Sequence, residues 1–279
     1  MELSVFAMPD RAALVVTGKD RTSWLNGMVT CDVSKLAPGA ARYGLLVEKK
    51  GRIQADFYVV ATEDALVLAL PRELRDAVLA TLDHHLIMED AELTTPELAW
   101  FYASGPGALE LARSKGATIA GELDLLAAGG GAVIATEDAS AFGDLSDAAT
   151  FEALRIERGL PRFGAEFDTA FYPQEANLEK LAVSFDKGCY LGQEVVYMLE
   201  NRGHVKKKLV PLDLEGDAPA AAAAPITTPE GDAIGEVKSS VVGPTTKHPV
   251  AIGMVKWSHA KPGTTLLVDG RKATVRAFP

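Results

Sequence analysis

The chain turns on Lys187-Gly188-Cys189-Tyr190-Leu191-Gly192-Gln193-Glu194, a stretch holding one of only two cysteines in 279 residues. A thiol becomes a useful thiolate at neutral pH beside positive charge or a helix N-terminus. Here Lys187 is expected to supply the charge. Gln193 to Leu199 reads as a helix whose N-terminal dipole favours a nearby anion. Gly188 and Gly192 permit left-handed or closely approached backbone that other residues resist. An isolated cysteine between glycines is ordinarily a packing residue in a turn, and the length of the whole string argues for more.

Three other segments share its character. Upstream lie Leu154-Arg155-Ile156-Glu157-Arg158-Gly159-Leu160-Pro161 and Pro173-Gln174-Glu175-Ala176-Asn177-Leu178. Near the start, Thr17-Gly18-Lys19-Asp20-Arg21 leads through Leu25-Asn26-Gly27 to Thr30-Cys31-Asp32-Val33. The cysteine string resembles the KGCYxGQE signature of the YgfZ family, relatives of the glycine-cleavage T protein, a folate-dependent aminomethyltransferase. The other segments resemble that family's R-x-E-x-G-x-P, P-x-E-x-N-L and G-x-D…L-x-G-x-x-T-x-D elements. The resemblance implies an α+β fold, a three-domain cloverleaf with a C-terminal β-barrel. Residues 1–40 with 145–205 would form a discontinuous folate-binding domain, 41–144 an inserted α+β domain, and 206–279 the barrel.

Composition bounds the function classes. A hydrophobic share of 48% and a charged share of 24% are those of an ordinary globular protein. The net charge of -10 and pI near 5.1 argue against direct nucleic-acid binding, which phosphate neutralisation drives, though they leave room for a local basic patch. Two cysteines far apart make no disulfide framework. The N-terminus lacks a leader-like apolar core, and no run of about twenty apolar residues occurs. A cytoplasmic chain that makes no use of a membrane is expected. The spacing of five histidines and two cysteines suits neither zinc nor an iron–sulfur cluster, so no metal site is expected.

From the N-terminus onward, Ala12 to Val16 is a buried strand, and Asp20 caps a helix through Trp24 and Leu25 that Gly27 ends. Cys31, between Val29 and Val33, reads as inert packing. Arg42–Val47 and Ile53–Val60 form a hairpin about Lys49-Lys50-Gly51, followed by a strand at 66–70. Pro71 opens a helix whose apolar positions Leu74, Val78, Leu82 and Leu86 recur at helical spacing. Strands near 98–103, 118–120 and 132–136 flank a helix at 107–114. Asp147 caps a helix from Ala148 to Arg158 that Gly159 stops. Residues 161–186 are irregular, a pattern usually functional in a compact chain. Lys206-Lys207-Lys208 reads as a solvated strand edge. Four further strands, from 234 to 278, predict a small barrel.

The resemblance also implies site residues. Glu175 is expected to hold the amino-pyrimidine edge of tetrahydrofolate, because a carboxylate accepts from adjacent N–H donors. Asp32 and Asp56 are expected to line the same opening, and Phe151 and Tyr172 to stack on the ligand. Tyr190, Gln193 and Glu194 join them through the signature, with Cys189 as reactive thiol and Lys187 beside it. Met198 stands where relatives commonly carry arginine; Arg202 is the nearest substitute. Lys187 and Lys206 are alternatives for a folate glutamate tail. The implied function is an iron–sulfur cluster assembly or repair factor that uses tetrahydrofolate, with iron–sulfur enzymes or assembly proteins as partners and an indirect effect on tRNA modification. The competing readings are a folate-dependent aminomethyltransferase, which needs a carboxylate and no thiol, and a non-enzymatic folate-binding adaptor.

Overall fold

The structure is a computed structural model describing residues 2–278. By its internal contacts the chain divides into two compact units. One comprises Met1–Asp147 with Lys180–Gln193, the other Ala148–Glu179 with Glu194–Pro279.

The first unit holds, in order, β1 (Ser4–Ala7), β2 (Arg11–Thr17), α1 (Arg21–Asn26), β3 (Ala41–Val47), β4 (Ile53–Ala61), β5 (Leu66–Pro71), α2 (Arg75–His84), β6 (Glu92–Thr94), β7 (Ala99–Ser104), α3 (Ala108–Ser114), β8 (Ile119–Glu122) and β9 (Gly131–Thr136). Two antiparallel sheets result, in the orders β3-β4-β5-β2-β6 and β1-β7-β9-β8. The larger sheet packs Leu14, Leu46, Phe57, Val59 and Leu68 against Leu25 of α1 and Val78 and Leu82 of α2. Leu74, just before α2, and Leu86, just after it, are partly buried against the same cluster, so the four-residue spacing marks the side of the helix that faces the sheet. On the smaller sheet, Phe101 stacks on Phe142 with centroids 5.0 Å apart.

Pro71 does not open the helix. It closes β5 opposite Arg11 of β2, and a 3-10 turn at Arg72–Leu74 intervenes before α2. Strand pairing takes the residue first, since its fixed φ of -55° is compatible with extended backbone.

The second unit begins with α4 (Ala148–Arg158) and runs through a largely irregular segment to α5 (Glu179–Ala182), which straddles the division between the units. After α6 (Gln193–Asn201) come β10 (Lys207–Leu214), β11 (Pro225–Thr227), β12 (Ala233–Val242), β13 (Pro249–Lys256), β14 (Thr265–Val268) and β15 (Arg271–Val275). These six strands close into a barrel in the order β10-β13-β12-β11-β14-β15. Val210, Leu212, Ile226, Ile234, Val255, Leu266 and Val275 fill its interior. At Lys207 and Lys208 β10 pairs with β13 alone, since its pairing with β15 is confined to Leu212–Leu214, so the lysine run does lie on a strand edge there. Lys208 ion-pairs with Glu179. Among the described residues no helix is long and apolar enough to cross a membrane.

Two charged side chains of α4 fasten it. Arg155, 4% exposed, binds both oxygens of buried Glu166 at 3.1 Å, and its other side meets Glu152 at 2.6 Å. Glu157 accepts the backbone N–H groups of Thr245 at 3.1 Å and Thr246 at 2.6 Å, in the loop between β12 and β13. Burial alone would raise this carboxyl, but the hydrogen bonds from Thr246 and Thr245 outweigh it and hold the group below its usual 4.5. A carboxyl depressed in the folded state binds fewer protons there than in the unfolded chain. Its stabilisation is therefore complete above about pH 4.5 and is lost as pH falls through the folded value. Glu157→Gln is expected to lower stability by about 1.5–3 kcal/mol at pH 7, the range for a charge-assisted hydrogen bond. Urea midpoints of the two proteins should converge as pH falls below 4.5, and a gap unchanged down to pH 3 would contradict this role.

Candidate functional site

Each unit presents its own part of the expected site. In the first, the cysteine string is bound to the loop after α1. Lys187 Nζ donates to the carbonyls of Asn26 at 2.6 Å, Val29 at 2.8 Å and Cys31 at 2.8 Å. An ammonium has three protons and no acceptor, so these bonds exhaust it. Burial pushes Lys187 down to about 8, against the pull of Cys31 and Asp32, which leaves it mainly cationic at pH 7. Its ammonium also lies 5.3 Å from the centroid of the Tyr190 ring.

The string is anchored again at Leu191 and Gly192. Leu191 N–H donates to the Gly27 carbonyl at 3.0 Å, and its side chain packs on the large-sheet core. Gly192 has φ +77°, and a Cβ there would lie 2.3 Å from the Glu48 carbonyl oxygen, so only glycine fits. Between these anchors Cys189 is exposed, and nothing crowds the Cα of Gly188. The string thus projects a thiol from a loop pinned on both sides, two residues after Lys187 and four before the first residue of α6.

Cys31, by contrast, is buried, and burial pushes its thiol up to about 12. It packs as expected, although a cation does lie near it: the Lys187 ammonium on its own carbonyl. The Tyr190 hydroxyl is buried without a hydrogen-bond partner among the described residues, and burial raises it well above 10. A buried donor left open in this way is uncommon in folded proteins. Gln193 is partly buried at the start of α6.

The two aspartates of this unit are engaged locally. Asp32 accepts the Ser34 hydroxyl at 2.5 Å and the Ser34 N–H at 2.9 Å, and the hydroxyl bond leads the effects lowering its carboxyl. Asp56 is 1% exposed, paired in bidentate fashion with Arg11 at 2.9 and 3.0 Å, and also accepts Tyr43 Oη at 2.9 Å. Arg11 in turn lies 5.1 Å from the Tyr58 ring centroid.

In the second unit, Pro173 to Leu178 forms a compact turn, with Leu178 N–H on the Pro173 carbonyl at 2.9 Å and Asn177 at φ +59°. Leu209 N–H of β10 donates to the Glu175 carbonyl at 2.8 Å and ties this turn to the barrel. Glu175 is 9% exposed. Its Oε2 accepts the Tyr172 N–H at 3.1 Å, and its Oε1 meets no donor among the described residues. Nearby in sequence, Gln174 Oε1 and Glu179 Oε2 are buried acceptors without partners. Phe151 and Tyr172 are partly buried, and Glu194 is exposed on α6. Met198 is 50% exposed. Among the described residues no cluster of His, Cys, Asp and Glu is arranged to hold a metal ion.

Comparison with known proteins agrees with this architecture. The GCVT N-terminal domain family matches residues 2–120, and the glycine cleavage T-protein C-terminal barrel domain family matches residues 207–278. A protein of Sodalis glossinidius named tRNA-modifying protein YgfZ is 26% identical over 255 residues, covering 83% of this chain and 78% of its own length. The protein of that name from Klebsiella pneumoniae is 27% identical over 232 residues, covering 75% of this chain and 71% of its own length. The chain belongs to the glycine cleavage T-protein family, and these relatives of it are named YgfZ. A crystal structure of glycine cleavage system aminomethyltransferase T from Bartonella henselae has the same fold, with a TM-score of 0.84 over 99% of this chain and 86% of that one, at 20% identity. The α+β fold with its terminal barrel is thus the T-protein fold.

Within this T-protein family member, two substitutions test the roles read from geometry. Lys187→Met leaves three carbonyls without their donor and should cost roughly 1–3 kcal/mol. The Leu191 amide should then exchange faster with solvent; unchanged exchange at Leu191 would show that Lys187 does not hold the string. Asp56→Ala strands the buried Arg11 guanidinium and should cost about 3–5 kcal/mol in urea unfolding, whereas Arg11→Met with Asp56→Leu should recover most of that loss.

Proposed function

We propose that this chain binds tetrahydrofolate and acts as a YgfZ-type factor in the maturation of iron–sulfur enzymes, through which it affects tRNA modification. The observation that carries the folate reading is the Glu175 carboxylate, buried to 9% with one oxygen spent on Tyr172 N–H and the other open. A pterin presents several N–H donors along one edge. Glu175, Gln174 Oε1 and Glu179 Oε2 offer open acceptors on a single stretch of the second unit. For the buried Gln174 and Glu179 oxygens the missing donor costs about 1–3 kcal/mol, a cost that such a ligand removes. Tetrahydrofolate would supply a carrier for one-carbon units. In this proposal Glu175 binds the pterin edge, and Phe151 and Tyr172 of the same unit flank it.

Cys189 is proposed as the reactive thiol. It is exposed on a loop that Lys187 and Gly192 hold rigid, and relatives named for tRNA modification match this chain over most of its length. Lys187 serves as a positioning residue, since its three protons go to backbone oxygens. The aminomethyltransferase reading needs a free carboxylate, and both Asp32 and Asp56 are already hydrogen-bonded within the protein.

Calorimetric titration with tetrahydrofolate separates the two parts of this proposal. Glu175→Ala should weaken binding at least tenfold, and Cys189→Ser should leave it within about twofold. In a strain lacking the protein, Cys189→Ser should fail to restore iron–sulfur enzyme activity. Full restoration would remove the thiol from the function, and tight folate binding by Glu175→Ala would remove Glu175 from the site.

A further inference from the structure

On the outer face of the barrel, Lys207 of β10 stands directly opposite Lys256 of β13. Opposed residues on antiparallel neighbours share a face about 5 Å apart, and like charges so placed destabilise the sheet. Among the described residues neither ammonium is hydrogen-bonded to a carboxylate, although Lys207 helps to hold the Glu236 carboxyl low. Lys207 Nζ lies over the Phe171 ring, 4.7 Å from its centroid, and Lys256 Nζ donates to the Ala233 carbonyl at 3.1 Å. Lys238 adds a third ammonium, held at 2.6 Å by Glu236, the acid within the patch. Lys206 is exposed next to Lys207. In a chain of net charge -10 this concentration of cations is a local reversal of sign.

Lys207, Lys238 and Lys256, with Glu236 among them, rim a pocket of about 320 Å³ lined also by Phe171, Met254 and Val255, within the size range of small-ligand sites. One residue beyond Lys256, Trp257 is 45% exposed, and its ring stacks on His204 at 4.2 Å and 24°. Its backbone N–H donates to the Lys206 carbonyl at 3.0 Å, so the aromatic pair is fixed to the same strands as the lysines. An apolar-lined pocket, ammonium groups on its rim and an exposed stacked aromatic together match the needs of one ligand class. A nucleobase stacks on an aromatic face, and its phosphates take ammonium groups as point charges.

We propose that this face of the barrel binds a single-stranded segment of RNA. One base occupies the pocket, the flanking phosphates lie on Lys207, Lys256 and Lys206, and a neighbouring base stacks on Trp257. The inference stands on the barrel alone and is independent of folate binding. The overall acidity makes the interaction weak and strongly dependent on salt.

The test is fluorescence anisotropy with a labelled RNA of about twelve nucleotides at roughly 50 mM salt, on the full chain without folate. Lys207→Glu with Lys256→Glu should weaken binding at least tenfold. The same change should flatten the dependence of log affinity on log salt by about 1.4, two phosphate contacts at roughly 0.7 each. Trp257→Ala should weaken binding roughly five- to a hundredfold without altering that slope. Matching thermal melts would show that the variants fold. Absence of binding by the native chain, or no effect of the lysine variant, would overturn the proposal. Equal affinity for polyglutamate, with no loss in Trp257→Ala, would also overturn it and make the face a general anion site.

Discussion

Three backbone oxygens and one ammonium organise the first unit's share of the site. The loop after α1 turns the carbonyls of Asn26, Val29 and Cys31 toward a common point, and Lys187 fills it. Converging carbonyl dipoles away from bulk water are unfavourable until a donor reaches them. Lys187 relieves that arrangement and is itself relieved of part of its desolvation cost. Because it comes from more than 150 residues along the chain, the same contact closes a long loop. Leu191 and Gly192 fix the path of the chain into α6, leaving Cys189 as the free apex. The thiol's position is thus a consequence of backbone chemistry elsewhere.

A comparable device works in the second unit, with the charge reversed. Glu157 collects backbone N–H groups from the loop between β12 and β13, and Arg155 collects carboxylates and the Leu160 carbonyl. The two residues lie on different sides of α4. One therefore seats the helix on the barrel loop, and the other holds the irregular segment beyond Gly159. Both side chains are charged, buried and nearly saturated with partners, the condition under which buried charge is tolerated.

Much of this architecture is legible in the amino-acid order. The spacing of Leu74, Val78, Leu82 and Leu86 locates a helix face, and the Lys49-Lys50-Gly51 turn locates a hairpin, because both are set by local periodicity and local backbone freedom. β11 gives no such signal, because it is three residues long and begins at a proline beside an alanine-rich loop. The partners of Lys187 are hidden for a different reason. Its neighbours in the chain include a cysteine, while its neighbours in space are carbonyls, which carry no side-chain signature. Lys207 with Lys256 is a pairing of strand register, and Arg11 with Asp56 a contact between β2 and β4 across the intervening β5; both are invisible until the sheets are assembled. The family resemblance nominates residues, and the geometry divides them into those whose polar groups are spent within the fold and those left open.

The contrast between the two cysteines has a practical consequence. Cys189 is open to any reagent in solution, while Cys31 is 2% exposed and keeps its proton to about pH 12. A thiol-specific dye should therefore count one sulfur in the native chain and two in the unfolded one. The second labelling event reports opening of the sheet core around Phe57 and Gly44, which closes over Cys31. The protein carries its own gauge of partial unfolding, readable by mass without any added probe site.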